Sequence, residues 1–303
     1  MRKNLFTATI LAITTLGVLI TILAFTVSIN YNKGTFNTRE TTSVETSEEK
    51  LDNKGNELDN SINITNIEYA KCNNNYNEQL IEHIGYTVSY NTQWNLPNWV
   101  AYELTAEEVQ GTEERNDKFT TDPCISSNAV ISSDYTRSGY DRGHMAPAGD
   151  MKWSKQAMEE SFYMTNICPQ IHNVNAGDWK ELEEFARDLA MYYNSIYICC
   201  GPIVTDSDTM TIGTERKIRV PSEFYKAFLR KKDDNTWTAI GFIMPNKAGN
   251  KPLLTYIVPV DSIENKTGID LFFNLPDSIE SIIEAEYNEI DWSWRCKKNH
   301  IPT

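Results

Sequence analysis

Residues 177–194, GDWKELEEFARDLAMYYN, carry the sequence pattern that most constrains the fold. At about 100° per residue, the apolar side chains of an α-helix here would form one stripe. The stripe consists of Trp179, Leu182, Ala186, Leu189, Ala190 and Tyr193. A helix with a single apolar stripe is stable only when that stripe packs on a core, so we expect this helix to lie against a sheet. Glu183 and Arg187, four residues apart, are neighbours on its flank.

Strand patterns surround this helix. WVAYELT (99–105) predicts a strand, and SIYICCGPIV (195–204) predicts a buried strand that ends at Gly-Pro. EFYKAFLRK (223–231) and TWTAIGFIMP (236–245) flank the polar turn KDDN, which indicates a β-hairpin. The chain therefore combines a packed helix with several strands.

The N-terminal segment predicts a membrane anchor over residues 1–30. Residues 4–32 carry no charge and include about 25 mostly apolar residues, against the ~20 needed to cross a bilayer. Arg2 and Lys3 precede them, so the positive-inside rule places the rest of the chain outside the cytoplasm, in the periplasm or the extracellular space. A cleaved signal peptide is the alternative, and the protein would then be secreted. We expect a polar, flexible tether at 31–80 and one globular domain at 81–303.

The charge and the cysteines bear on the class of partner and on the compartment. A net charge of −14 argues against tight nonspecific binding to nucleic acid, because that affinity comes mostly from Lys and Arg. Six cysteines in an exported chain permit disulfides, although burial as small apolar residues explains them equally well. His83 and His300 lie outside any cluster and are expected at the surface.

The stretch DRGHMAPAGD (141–150) places an acid, a guanidinium and an imidazole close together. Arg142 can hold a phosphate oxygen, and Asp141 can orient a ring or a guanidinium. Together with the downstream polar residues Asn166, Asn175, Glu183 and Arg187, this set suits phosphodiester hydrolysis. That reaction needs a base for water, a hard cation with oxygen ligands, and positive charge against the developing anion.

Each of these residues also has a structural interpretation. Asn175 is placed to cap the helix, and Asn166 to form a turn. Glu183 and Arg187 form an ordinary i,i+4 surface pair in this interpretation, and Arg142 a structural ion pair. An isolated histidine such as His144 is more often a hydrogen-bonding group than a catalytic base.

Residues 142–190, from RGHMAPAGD through TNICPQ and NVNAGDW to EEFARDLA, closely resemble the DNA/RNA non-specific endonuclease family, the ββα-metal nucleases. The resemblance extends more weakly over about residues 84–295. It implies an α+β fold with a central antiparallel sheet and a packed catalytic helix.

The resemblance also implies a role for each site residue. His144 would be the general base and Asn175 the direct protein ligand of one Mg²⁺, for which Mn²⁺ can substitute. Glu183 would hold a water of that metal, Arg187 would contact the phosphate region, and Asn166 would support the base and the phosphate. Arg115 in GTEERNDKF resembles the transition-state arginine of the family, although the loop spacing differs, and Arg142 and Asp141 resemble supporting residues.

The activity implied is metal-dependent cleavage of DNA and RNA with little sequence preference, leaving 5′-phosphates. Two alternatives stay open: a phosphodiesterase on small nucleotides, and a catalytically silent surface receptor for nucleic acid. The sequence leaves open whether an inhibitor protein binds the chain.

Overall fold

A computed structural model describes residues 65–247, 249 and 251–292. The predicted anchor, Cys296 and His300 lie outside this range. Within it, no helix combines the length and the apolar character needed to cross a membrane. The residues described belong to a unit that spans Ser61–Thr303.

The strands in chain order are β1 (Ala70–Cys72), β2 (Gln79–Glu82), β3 (Thr87–Asn91), β4 (Leu96–Thr105), β5 (Asp141–His144), β6 (Ile167–Gln170), β7 (Ser195–Ile203), β8 (Thr211–Ile212), β9 (Ile218–Arg219), β10 (Glu223–Lys231), β11 (Trp237–Pro245), β12 (Ile257–Val258) and β13 (Ile269–Leu271). The α-helices are α1 (Ala106–Val109), α2 (Lys155–Ser161), α3 (Trp179–Tyr193), α4 (Val260–Thr267) and α5 (Asp277–Ile283). Short 3₁₀ turns occupy Ser132–Tyr135, Ala148–Asp150, Met164–Asn166, Leu253–Tyr256 and Glu289–Asp291.

A seven-stranded antiparallel sheet with the order β12-β11-β10-β7-β4-β3-β2 forms the centre of the fold. Strands β5 and β6 pair separately as a two-stranded antiparallel ribbon. The expected α+β class with a central antiparallel sheet is confirmed. The predicted hairpin is also confirmed, since β10 and β11 pair in register from Glu223–Pro245 to Lys231–Trp237.

Both faces of the sheet are covered, so successive residues of one strand enter different cores. In β10, Phe224 and Phe228 join the core that contains the helix α3, whereas Tyr225, Ala227 and Leu229 join the opposite core. The second core is closed by α4 through Val260 and Ile263. Because neither face of the central strands meets water, their sequences are nearly continuous apolar runs and do not alternate between apolar and polar residues.

The predicted helix is present with shifted ends. A π-helical turn at Val174–Asp178, with non-helical backbone at Gly177, precedes the α-helix Trp179–Tyr193. The predicted stripe faces the core, with Leu182, Ala186 and Ala190 fully buried. Burial of the stripe against the sheet therefore determines the rotation of the helix.

Three expectations from the sequence need correction. The Gly201-Pro202 pair does not end β7, because both residues remain paired with β10. Strand β1 pairs with β13 and β2 pairs with β3, so the folded unit includes residues that were assigned to the tether at 31–80. His83 is not a surface residue, since its side chain is 4% exposed and Nε2 lies 3.1 Å from Asp122 Oδ2.

The five cysteines in the described part of the chain are free thiols. Cys168, Cys199 and Cys200 are fully buried among apolar side chains. These three therefore fit the interpretation of cysteine as a small apolar core residue.

The packing of α3 can be tested with a matched pair of substitutions. Leu189→Ala, at a position 2% exposed, should lower the free energy of unfolding by about 2–5 kcal/mol, because it leaves a cavity under the helix. Met191→Ala, at a position 47% exposed on the same helix, should change it by less than about 0.5 kcal/mol. Urea denaturation measures both, and equal losses would contradict this packing.

Candidate active site

The β5–β6 ribbon and the helix α3 together position His144. In the ribbon, His144 pairs with Ile167, and its carbonyl oxygen accepts a hydrogen bond of 3.1 Å from Trp179 Nε1 at the start of α3. Trp179 is itself fully buried, so this bond is shielded from water. The backbone of His144 is thus held by two strands and a helix, and its side chain is built on rigid elements.

The imidazole of His144 lies in an apolar pocket. Its ring centroid is 5.3 Å from that of Phe119 and 4.9 Å from that of Phe162, and the residue is 7% exposed. Burial, followed by the positive charge of Arg115, lowers the pKa of His144 from about 6.5 to about 3. The ring is therefore neutral at pH 7. Its Nε2 is buried and has no hydrogen-bond partner among the described residues, so it is available to accept a proton.

Arg115 lies beside this pocket, where its guanidinium contacts the ring of Phe162. The guanidinium stacks 5.1 Å from the centroid of Phe162, and Nε bonds Asp117 Oδ1 at 2.5 Å. The side chain is 53% exposed. It is therefore a solvent-facing positive charge next to the candidate base.

Asn166 supports the backbone that follows His144. Its Nδ2 donates to the carbonyl oxygens of Ala146 and Ser161, each at 2.8 Å, and its Oδ1 accepts from the amide of Ala146 at 2.9 Å. The side chain is fully buried. It can support the base as predicted, but burial leaves no part of it for a substrate phosphate.

Asn175 is oriented by Asp141. Its Nδ2 donates to Asp141 Oδ2 at 3.0 Å, and the same oxygen lies 2.8 Å from Nδ1 of the exposed His172. An ionised carboxylate only accepts hydrogen bonds, so the amide nitrogen of Asn175 must face Asp141. The amide oxygen is then directed elsewhere and is available to a cation. Asn175 lies within the π-helical turn instead of capping α3.

Arg187 is bound to an acid that sequence reasoning did not single out. Its Nη1 donates to Asp150 Oδ1 at 2.7 Å, while Tyr102 donates to Asp150 Oδ2 at 2.8 Å. The Arg187 side chain is 22% exposed and Asp150 is fully buried. Arg187 thus forms an ion pair with Asp150, which argues against a simple surface pair with Glu183.

Glu183 sits among several charges. Burial raises the pKa of Glu183 to about 7, with opposing effects from the positive charge of Lys226 and the negative charge of Asp150. Lys226 is fully buried: its Nζ donates to the carbonyl oxygen of Met145 at 3.2 Å and lies 4.8 Å from the centroid of Trp179. Additional positive charge beside this carboxyl group would favour its charged form.

Arg142 has a largely structural environment. Its Nε and Nη2 both donate to the carbonyl oxygen of Ser132, at 3.3 and 2.7 Å. The guanidinium also stacks on the rings of Phe119 and Tyr135. These contacts hold the wall of the pocket, consistent with a supporting residue.

The structure therefore brings His144, Arg115, Glu183 and Arg187 into one charged neighbourhood, with Asn175 attached to it through the ribbon. Sequence reasoning missed Asp150, Tyr102, Lys226, Phe119 and Phe162, which orient or enclose these groups. The one sequence feature that could have indicated the buried role of Lys226 is its position between Tyr225 and Ala227 inside a predicted strand. The arrangement supplies a neutral base, oxygen ligands for a hard cation and exposed positive charge.

Comparison with known proteins identifies relatives of this chain. The model of the DNA/RNA non-specific endonuclease family matches residues 63–278. Nuclease C1 of Cunninghamella echinulata var. echinulata is 34% identical over 210 residues, covering 64% of this chain and 83% of that protein. Mitochondrial endonuclease G of Homo sapiens is 30% identical over 204 residues, covering 63% of this chain and 68% of that protein.

A solved structure is also similar. One chain from the crystal structure of an EndoG/EndoGI complex aligns with a TM-score of 0.62 at 30% identity. The alignment covers 67% of this chain and 89% of that chain.

The burial of His144 predicts a specific dependence of stability on pH. Because the folded pKa is depressed, the unfolded chain binds the proton more tightly, and unfolding becomes easier as the pH falls from about 6.5 towards 3. In EDTA, the unfolding free energy of the wild type should thus rise more steeply with pH in this window than that of His144→Gln. The difference has an upper limit of about 1.4 kcal/mol per pH unit. Urea melts at pH 4, 5 and 6 measure it, and parallel slopes would show that the imidazole titrates as if exposed.

Proposed function

The chain belongs to the DNA/RNA non-specific endonuclease family, as its sequence predicts, and we propose that it hydrolyses phosphodiester bonds of both DNA and RNA with His144 as the general base. The observation that carries this proposal is the state of His144. Its ring is neutral because of burial and the positive charge of Arg115, and its Nε2 has no partner among the described residues. A neutral imidazole next to a positive charge suits a step in which water loses a proton as a phosphate gains negative charge.

In the proposed reaction, a water oxygen forms a bond to phosphorus while its proton passes to His144 Nε2. The bond from phosphorus to the 3′ oxygen breaks, and that oxygen takes a proton from a second water molecule, leaving a 5′-phosphate and a 3′-hydroxyl. Trp179 holds the carbonyl group of His144 and Asn166 holds the backbone of Ala146 that follows it, which keeps the ring in place during the transfer. Arg115 and Arg187 supply positive charge for the transition state.

The residues at the site fit a hard divalent cation, and we infer that it is Mg²⁺, with Mn²⁺ as a substitute. Asn175 would provide its amide oxygen directly, since Asp141 binds the amide nitrogen. Glu183 would add a carboxylate held at the edge of the site by α3. When bound, such an ion withdraws charge from the phosphate and stabilises the transition state.

Access to Nε2 requires part of the pocket wall to move, because this atom is buried. Arg115 is the wall residue with the fewest constraints, being half-exposed and paired with the solvent-exposed Asp117. A substrate phosphate competes with Asp117 for the guanidinium. Binding would then draw Arg115 from Phe162 towards the phosphate and open the way to the base.

The acidity of the chain agrees with a nuclease that binds weakly and releases its product. With a net charge of −14, binding at the site depends on local cations and is steeply weakened by salt.

We also propose that residues 1–30 anchor the protein in a membrane with the nuclease domain outside the cytoplasm, or direct its secretion if they are cleaved. Fractionation and protease protection of the tagged full-length chain would test this proposal, which a cytoplasmic domain would exclude.

His144→Ala should reduce the cleavage rate by about 10²- to 10⁴-fold, because it removes the proton acceptor. Supercoiled plasmid and RNA are incubated with purified enzyme and Mg²⁺, with EDTA as the control for metal dependence. Thermal unfolding of the variant establishes that the fold is intact. Undiminished cleavage by the folded variant would rule out His144 as the base.

The choice of substrate separates the proposed function from its alternatives. Metal-dependent loss of both plasmid and RNA supports a sugar-non-specific nuclease. Turnover of a chromogenic diester without cleavage of either polymer would indicate a phosphodiesterase on small esters. Binding of the polymers without any turnover would indicate a receptor.

Asn175→Ala should raise the Mg²⁺ concentration needed for half-maximal cleavage by about tenfold or more, because it removes a ligand oxygen. The matched control is Asn173→Ala, an exposed amide in the same turn whose side chain caps nothing. The control should titrate like the wild type. An unchanged Mg²⁺ titration in Asn175→Ala would contradict its assignment as the ligand.

A further inference from the structure

A second group of acids lies on the opposite side of the sheet from α3. Asp261 and Glu264 are one turn apart on α4, and Glu284 follows directly after α5. The backbone amide of Asp261 donates to the carbonyl oxygen of Glu284 at 3.1 Å, so the start of α4 and the end of α5 are joined. One carboxylate oxygen from each of the three acids lies within 4.8 Å of the other two.

Glu284 is buried, and it lacks a partner for one oxygen. The residue is 3% exposed, and its Oε1 has no hydrogen-bond donor among the described residues. Glu280, one turn earlier, likewise has a buried Oε1 without a donor. A buried carboxylate oxygen is costly unless it is paired, so this group points to a ligand that supplies positive charge.

Protein cations do not supply that charge in the described part of the chain. No Lys, Arg or His of the described residues forms an ion pair with Asp261, Glu264 or Glu284, and the nearby Lys266 pairs with Glu223 instead. The three carboxylates therefore lie close together with no protein cation paired to them among the described residues.

We propose that Asp261, Glu264 and Glu284 form a Ca²⁺ site that joins α4 to the end of α5, separate from the catalytic centre. Oxygens up to 4.8 Å apart can surround Ca²⁺, whose ligands lie about 2.3–2.6 Å from the ion. Three carboxylates from the protein favour Ca²⁺ over Mg²⁺, which retains several waters and uses few carboxylates. Glu264 is already oriented, because its Oε1 accepts from the amide of Leu271 at 2.7 Å.

This site is distinct from the proposed catalytic metal in both position and role. Its helix α4 covers the core that contains Tyr225 and Ala227, whereas α3 covers the other face. Glu284 also lies beyond residue 278, where the match to the family ends. The expected role is to stabilise the C-terminal part of the domain.

The test measures thermal unfolding of the full-length protein, stripped with EDTA and then titrated with Ca²⁺ or Mg²⁺. Ca²⁺ at ten times its dissociation constant should raise the Tm of the wild type by roughly 3 to 6 °C. Asn175→Ala should show the same rise, because it alters only the proposed catalytic metal site. Glu286→Gln, an exposed acid two positions from Glu284, is the matched control and should also respond.

The melting temperature of Glu284→Gln should differ from that of the wild type in one way in EDTA and in another way in Ca²⁺. In EDTA it should melt at or above the wild-type temperature, since it removes a buried repelling charge, and Ca²⁺ should then raise its Tm little or not at all. If this variant does not fold, the milder Asp261→Asn takes its place, and equilibrium dialysis counts bound Ca²⁺. One ion retained in Asn175→Ala and lost in Asp261→Asn would support the site.

The absence of a Ca²⁺ response in the wild type would overturn the proposal, as would an equal response in the cluster variants. Neither readout uses nuclease activity, so failure of this site leaves the proposed function unaffected, and the reverse also holds.

Discussion

The contacts of Trp179 hold together the three parts on which the candidate site depends. Its indole N–H bonds the carbonyl oxygen of His144 in the ribbon, its ring packs 5.7 Å from Phe224 of the sheet, and the ammonium of Lys226 lies over its face. The residue is fully buried, so these contacts do not compete with water. Trp179 thus connects the helix α3, the ribbon and the sheet, and His144 is held as rigidly as the core on which it lies.

Burial in the site shifts the pKa values of His144 and Glu183 in opposite directions, and each shift favours the neutral form of the group. Apolar rings around His144 remove the stabilising effect of water on the imidazolium, and Arg115 adds repulsion, so the ring stays neutral. Burial also favours the neutral form of Glu183, but Lys226 and Arg187 oppose it. A divalent cation bound beside Glu183 would add positive charge that favours its ionised form. Although the protein is acidic overall, the positive side chains near the site can therefore offset the charge of an anionic substrate.

Prediction from sequence succeeded where a signal is local and failed where it depends on distant partners. The helix and the hairpin followed from periodicity and turn composition, and the family followed from its resemblance to residues 142–190. The partner of Arg187 did not, because Asp150 lies 37 residues away in the chain, with α2 and β6 between them. The end of β7 was wrong for a related reason: Gly201 and Pro202 usually break a strand, but pairing with β10 holds them in this one. His83 was misjudged as well, since its burial depends on the distant Asp122 and Glu160.

The sequence by itself determined the amphipathic helix, because spacing over a few turns is translated directly into structure by short-range geometry. The resemblance of residues 142–190 to a nuclease family implied the fold class and the candidate base, metal ligand and phosphate contacts. Only the tertiary structure decided which way those side chains face and what surrounds them. It directs the Asn175 amide through Asp141, commits Asn166 to the backbone, and encloses His144 between two phenyl rings. It also gathers Asp261, Glu264 and Glu284 on the far face. Orientation, burial and charge balance arise from contacts between segments far apart in the chain, and no local pattern encodes them.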